Sequence, residues 1–296
     1  MTSFVLTDEG GATMQLVDID GYKICNFYNS AEEEGELVRA LKTFECRDDD
    51  VFILAPMKSG THWVWEIASM LLQGKAETIP KRKSKNMLEN VPQNELNDIP
   101  SPRILNSHLD FKFLPEQLFE KKCKIIHILR NPKDMAVSFY NHVKGITCYA
   151  YDGEWQHYLK LFLEEKLEYG SWFGNVLSWE TFVKANPSYP VHVIYYEELQ
   201  KNNVSEIERL AKFLGVDFND QLVNMVSEKC QFSNMSKDKL VSDDLRKLLY
   251  KGNFTMYRKG AVGDWKNWFT VAQNEEFDRV YNQKMKHSAL SFQYTI

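Results

Sequence analysis

The chain has 296 residues, 44% hydrophobic and 13% aromatic, which is enough for a sizeable core in one large α/β domain or two modest ones. A formal net charge of −5 excludes a general nucleic-acid binder but leaves room for a locally basic pocket that takes a small anion. No apolar run approaches the ~20 residues that span a bilayer, and Met1 to Asp20 carries acidic residues and no basic one, unlike a secretory or mitochondrial leader.

Residues 1–50 are polar and predict only one element, a helix from Ala31 to Leu41. Val51 to Ala55 is a continuous apolar run closed by Pro56, the pattern of a short buried strand. Thr61 to Gln73 follows with helical spacing: Val64, Ile67, Ala68, Leu71 and Leu72 mark one face, and Gly74 supplies a stop. Residues 51–74 therefore read as strand, tight turn, helix. Lys75 to Arg103 is long, rich in Lys, Asn and Pro, and without a period, which predicts a lid loop. It holds the one dense basic run, Lys81-Arg82-Lys83 with Lys85 nearby, read as solvated surface.

A second strand starts at Ile104-Leu105 and ends at His108. A third spans Ile125 to Leu129, followed by Arg130-Asn131-Pro132-Lys133-Asp134 and a helix through Ala136, Val137, Phe139 and Tyr140. Trp155, Tyr158, Leu159, Phe162 and Leu163 space out as an amphipathic helix. Val191 to Tyr196 is a further strand, and Ile207, Leu210, Ala211 and Leu214, closed by Gly215, form the next helix. Strands alternating with helices predict an α/β fold: one domain over 1–296, with a mostly parallel sheet flanked by helices. The five cysteines, Cys25, Cys46, Cys123, Cys148 and Cys230, are odd in number and widely spaced. They predict reduced thiols in a cytoplasmic protein, with no disulfide framework and no zinc site.

Ligands of open parallel sheets bind beyond the carboxyl ends of the strands. After the first strand comes Lys58-Ser59-Gly60-Thr61, opening directly into a helix. Glycine lets backbone approach a phosphate, the helix start offers N–H donors, and Lys58 adds a point charge. The lysine precedes a single glycine, unlike the Walker pattern, so spacing alone also allows an ordinary strand-to-helix turn. After the third strand, Arg130 and Ser138 suit a phosphate monoester; an arginine paired with Asp134 is the plainer local reading. Near the C-terminus, Arg258-Lys259-Gly260 precedes Ala261-Val262-Gly263-Asp264-Trp265, a loop that can wrap an anion or simply carry solvated charge.

These three segments occur together, and with them the chain resembles the cytosolic sulfotransferase family from about Val51 to the C-terminus. In that family K-[ST]-G-[TS] binds a 5′-phosphosulfate, R-N-x-K-D-x-x-x-S binds a 3′-phosphate, and R-K-G-x-x-G-D-W closes over it. The resemblance implies the donor 3′-phosphoadenosine-5′-phosphosulfate (PAPS), with PAP as product and no metal. It implies that Lys58 touches the bridging oxygen and that Ser59, Gly60, Thr61 and His62 form the 5′ site. Trp63 and Phe232 would then sandwich the adenine, with Tyr196 at its edge. Arg130, Ser138, Arg258, Lys259 and Gly260 would hold the 3′-phosphate.

His108, in Ser107-His108-Leu109, matches the family's catalytic base, with Ser138 implied to restrain Lys58 until the acceptor arrives. An imidazole with an ordinary pKa near 6.5 accepts a hydroxyl proton at neutral pH. The chain departs from the pattern at Pro56-Met57, where an aromatic-proline pair is usual, at His62, and at Cys230-Gln231, where a Thr-Ser pair precedes the stacking phenylalanine. It also has Asn106 where phenol-directed members often carry lysine as a second charge on the transferring group. Lys266, Thr270-Val271 and Glu275 fit the family's short dimer motif and imply a homodimer.

The acceptor pocket is expected to draw walls from 75–103, from Tyr140 to Tyr151 and from around Tyr169, with residues 1–44 packing near it and the core running from about 45 to 296. Asn106, His142, Tyr149 and Tyr169 are its candidate residues. His142 and Asn106 predict a polar pocket for a hydroxylated or amine-bearing small molecule. Two other classes stay open: a P-loop kinase or nucleotide hydrolase, which the misplaced lysine opposes, and a PAPS-binding sensor without catalysis, which Asn106 keeps in play.

Overall fold

The structure is a computed structural model and describes residues 2–25, 30–238 and 242–296. Its strands are β1 (Thr2–Thr7), β2 (Thr13–Ile19), β3 (Tyr22–Ile24), β4 (Val51–Leu54), β5 (Ile104–Ser107), β6 (Lys124–Leu129) and β7 (Val191–Tyr195). The helices that matter for the site are α1 (Ala31–Ala40), α2 (Thr61–Gln73), α3 (Gln93–Asn97), α4 (Glu116–Glu120), α5 (Pro132–Gly145), α6 (Trp155–Leu163), α7 (Trp172–Ala185), α8 (Tyr196–Lys201), α9 (Asn203–Leu214) and α10 (Asp220–Lys229). Three more close the chain, α11 (Phe232–Asp238), α12 (Asp243–Leu249) and α13 (Val271–Lys284).

Four strands form one sheet in the order β5-β4-β6-β7, and every pairing is parallel. Side chains alternate across a strand, so β4 sends Val51 and Ile53 into one core and Phe52 and Leu54 into the other. On the first side Ile104, Ile126, Ile128 and Ile194 meet Val64, Ile67, Ala68 and Leu71 of α2 and Leu210 of α9. On the second, Leu105, Ile125 and Leu129 meet Val137 and Val143 of α5 and Trp179 of α7. Helices on both faces account for the continuous apolar run of the central strand β4. Gly74 and Gly215 end α2 and α9 in the left-handed conformation, at φ 65° and 76°.

Two regions differ from the sequence reading. Residues 1–50 hold, besides α1, a three-stranded antiparallel meander, β1-β2-β3, whose Met14, Leu16, Ile19 and Ile24 join the second core. The segment 75–103 is not an open loop along its length. Lys83, Asn86, Met87, Leu88, Glu89, Asn90, Val91, Leu96 and Arg103 are buried. Met87 bridges Asn106 in parallel, and Leu88 N–H donates to Asn106 O at 3.0 Å, so the segment lies along β5 as an added edge. Its end is fixed where Arg103 donates to both carboxylate oxygens of Asp50, at 2.7 and 2.6 Å, in a fully buried pair.

Candidate active site

The first segment turns sharply. Lys58 has φ 61°, a left-handed conformation uncommon outside glycine. Gly60 has φ 100°, and a Cβ there would sit 2.7 Å from Tyr196 Cδ2, so the position needs glycine twice over. Gly60 is also the N-cap of α2, and no side chain caps that end. Trp63 N–H donates to Gly60 O at 3.0 Å, and the N–H groups of Thr61 and His62 ahead of it point out of the helix start toward an anion. The Ser59 side chain is buried and its Oγ has no hydrogen-bond partner among the described residues. Burial, with Arg130, Lys83 and Arg258 nearby, lowers the Lys58 pKa to about 7. Its Nζ lies 3.5 Å from His142 Nδ1, so its neighbour in this state is the imidazole of α5 rather than Ser138 one turn earlier.

The other two segments are bonded to the first and to each other. Arg130, just past β6, donates to Lys58 O at 2.9 Å and Ala261 O at 3.5 Å, with its guanidinium over the Tyr196 ring at 4.2 Å. Asn131 caps α5 by accepting from Asp134 N–H at 2.9 Å. Asp134 in turn accepts from the backbone N–H groups of Gly263 and Trp265, at 2.7 and 2.9 Å, pinning the C-terminal loop onto α5. Within that loop Arg258 and Lys259 both pair with Asp264, at 2.6 and 2.5 Å. Burial works to raise the Asp264 carboxyl, but hydrogen bonds from Lys259, Asn267 and Arg258 outweigh it and hold the pKa at about 2.

A cavity of about 570 Å³ opens where the three segments meet. Lys58, Gly60, Thr61, His62, Trp63, Arg130, Ser138, Tyr196, Phe232, Arg258, Lys259 and Gly260 all border it, as do His108, His142 and Tyr169. Phe232 is 36% exposed, high for a phenylalanine beside a cavity and suited to stacking on a planar ligand. A Cβ on Gly260 would strike its ring at 2.2 Å. His108 follows β5 directly and is buried. Its Nδ1 lies 2.8 Å from Ala55 O. A carbonyl only accepts, so Nδ1 carries the hydrogen and Nε2 keeps its lone pair. Burial, then the charges of Lys83 and Lys58, lower its pKa to about 3, which keeps the ring neutral at physiological pH.

The residues 48–289 match the family model described as Sulfotransferase domain. The chain belongs to the sulfotransferase family. Sulfotransferase 1B1 of Canis lupus familiaris is 34% identical over 294 residues, covering 94% of this chain and 95% of that protein. Sulfotransferase 1E1 of Bos taurus is 36% identical over 270 residues, 86% of this chain and 90% of that protein. The crystal structure of mouse sulfotransferase SULT7A1 complexed with PAP superposes with a TM-score of 0.76 at 32% identity, covering 93% of this chain and 96% of that one.

In this sulfotransferase three expectations about side-chain placement change. Tyr149 does not border the cavity: it is fully buried and donates a short hydrogen bond to Glu168. Burial raises the Glu168 pKa to about 8 despite that bond. Asn106 lies one layer behind the wall, with its carboxamide oxygen 2.6 Å from Lys83 Nζ. Lys83 itself, read from sequence as part of a solvated run, is buried and borders the cavity, whereas Lys81 and Arg82 beside it are exposed. Nothing in the run Lys81-Arg82-Lys83 marks which lysine turns inward. None of the described residues among 1–44 borders the cavity, but the segment packs behind its wall: Tyr169 N–H donates to Lys23 O at 2.8 Å.

Proposed function

We propose that this sulfotransferase takes its sulfuryl group from PAPS and places it on a hydroxyl of a small acceptor, with His108 as general base and Lys58 beside the leaving oxygen. The observation that carries the reading is the bonding of three cationic segments around one cavity, through Arg130 to Lys58 O and Ala261 O and through Asp134 to Gly263 and Trp265. The residues fit the donor. An uncapped helix start and Lys58 suit its 5′ end. Arg130, Ser138, Arg258, Lys259 and Gly260 suit a 3′-phosphate, with Asp264 holding two of those cations in place beforehand. Trp63 and Phe232 offer faces for a base, with Tyr196 between the first turn and Arg130.

In the transfer, the acceptor oxygen forms its bond to sulfur as the bond from sulfur to the 5′-phosphate oxygen breaks. The electron pair of the broken bond leaves on that oxygen, beside Lys58. The acceptor's proton passes to His108 Nε2. Positioning and fixed positive charge supply most of the acceleration. Phosphosulfate charge between Lys58 and Lys83 offsets the repulsion that lowers the His108 pKa, so the base strengthens once the donor is in place. The cationic cavity favours a hydroxylated acceptor over a protonated amine, because Lys58, Lys83 and Arg130 face it against one bordering carboxylate, Glu66. Thr61, Ser59 and His62 hold the 5′ side, while His142 and Tyr169 form acceptor walls.

Incubation with PAPS and an acceptor library, read by mass spectrometry, tests this reading. Sulfated hydroxyl compounds formed with equimolar PAP are expected; a product set confined to sulfated amines would refute the acceptor assignment. The same reading places the chain in the cytoplasm, as its cysteine pattern suggests. No helix among the described residues is long and apolar enough to cross a membrane. A homodimer through Lys266 to Glu275 is supported by Val271, which is 77% exposed at the start of α13. Sedimentation should show a dimer that Val271→Glu dissociates.

A further inference from the structure

An ammonium group is buried at this cavity and makes no ion pair among the described residues. Lys83 is 3% exposed and borders the cavity with Lys58 and His108. Its Nζ bears three donors, and its one hydrogen-bond partner among the described residues is a neutral one, Asn106 Oδ1 at 2.6 Å. Burying a cation against an amide costs several kcal/mol unless further bonds offset it. The cost shows in its pKa, which burial lowers to about 8 even though Glu89 attracts the charge through space. A buried donor-rich cation facing a ligand cavity marks a place for an anion.

The position of Lys83 is enforced. Asn106 donates through Nδ2 to Lys83 O at 3.1 Å and Asn86 O at 2.9 Å, which leaves its Oδ1 for the Lys83 ammonium. Asn86 is tied in turn to Ile104 O at 2.8 Å. Asn106 lies within β5 and His108 directly past its end, two residues on. The charge of Lys83 bears on the His108 ring more strongly than that of Lys58 does. Lys83 is held on the β5 side of the cavity by Asn106, two residues before His108, whereas Arg130 is bonded to Lys58 O and Ala261 O, and Arg258 and Lys259 to Asp264.

We propose that Lys83 is a catalytic residue, a second cation on the equatorial oxygens of the sulfuryl group in flight, delivered from the turn 83–86 by Asn106 as positioning residue. This rests on the PAPS reading above. Lys58 then neutralises the oxygen that leaves, and Lys83 the oxygens that travel with sulfur. The cation that the strand position 106 lacks is supplied from the neighbouring segment.

The test compares two nucleotides that differ only in the group at issue. PAP and PAPS are bound separately, without acceptor, to wild type and to Lys83→Met by calorimetry, and kcat is measured with one accepted hydroxyl compound. PAP affinity should stay within about twofold, while PAPS affinity falls about tenfold and kcat about 10²-fold. The double variant Lys83→Met with Asn106→Lys, which moves the charge onto the strand, should recover at least tenfold of the lost kcat with PAP affinity unchanged. The inference is overturned if Lys83→Met keeps the wild-type ratio of PAPS to PAP affinity and a kcat within twofold. It is equally overturned if PAP affinity falls as far as PAPS affinity, the mark of a merely structural lysine. A wild-type chain that bound neither nucleotide would instead sink the donor reading itself.

Discussion

Two buried imidazoles hang from consecutive carbonyls at the end of β4. His108 Nδ1 donates to Ala55 O and His127 Nδ1 to Leu54 O, each at 2.8 Å. Burial lowers both pKa values, to about 3 and about 4, so both rings are neutral and of the same tautomer. Their surroundings separate them. His127 sits within β6, stacked on Trp179 at 4.9 Å, and its buried Nε2 has no hydrogen-bond partner among the described residues. His108 follows the end of β5, meets Tyr169 edge-on at 5.6 Å and faces the cavity beside two lysines. A fixed tautomer and a neutral ring are therefore not enough to make a base. Placement past the strand end, where the sheet opens to ligand, decides it.

That contrast can be broken by mutation. His108→Ala should lower kcat about 10³-fold while leaving PAP affinity within about threefold, by steady-state rates and calorimetry. Next in size, Lys58→Met should cost about 10²-fold in kcat because the leaving oxygen loses its counter-charge; a kcat within threefold of wild type would count against that role.

The pH dependence sharpens the comparison further. Lys58, with its pKa lowered to about 7, is protonated below that value and loses its charge above it, and a bound anion raises the pKa again. PAP binding should therefore take up a proton above pH 7, with affinity falling roughly tenfold per unit above about pH 8. Calorimetry in buffers of different ionisation enthalpy reads the uptake, which Lys58→Met should abolish. kcat/KM for PAPS should fall on the same alkaline side, while His108, neutral down to about pH 3, sets no acid limb between pH 5 and 7.

Smaller effects fall on the scaffold. Asp134→Ala leaves the half-buried N–H groups of Gly263 and Trp265 without their acceptor, and should cost about 1–2 kcal/mol of stability and roughly tenfold in PAP affinity. His127→Ala should lower the melting temperature through a loss of about 2–4 kcal/mol, yet keep kcat within about threefold. A catalytic loss at His127 larger than its loss of stability explains would erase the distinction between the two rings.

Much of this was legible in the sequence where local chemistry is decisive. The helix from Thr61 to Gln73 and its glycine stop fall where apolar spacing places them, and the two central strands, β4 and β6, are short and mostly apolar runs buried on both faces. The β1-β2-β3 meander was not legible, because its exposed edge carries mixed residues such as Val5, half exposed, beside polar neighbours. Helix α7 escaped because its exposed face carries only the weakly polar Gly174, Ser178 and Thr181 before Lys184, while Leu177 and Phe182 widen the apolar side and blur the period. Within the site, motifs named the cations, but not which partners hold them. The Asp134 clamp, the inward Lys83 and the buried bond from Tyr149 to Glu168 depend on contacts between residues 19 or more positions apart, which spacing does not encode.

A crystal structure with PAP bound measures the convergence of the three segments most directly. The account predicts the 5′-phosphate on the turn Lys58 to Thr61, the adenine between Trp63 and Phe232, the 3′-phosphate on Arg130, Ser138 and Arg258 to Gly260, and His108 Nε2 facing the 5′ end. Nucleotide bound the other way round, or outside this cavity, would contradict it.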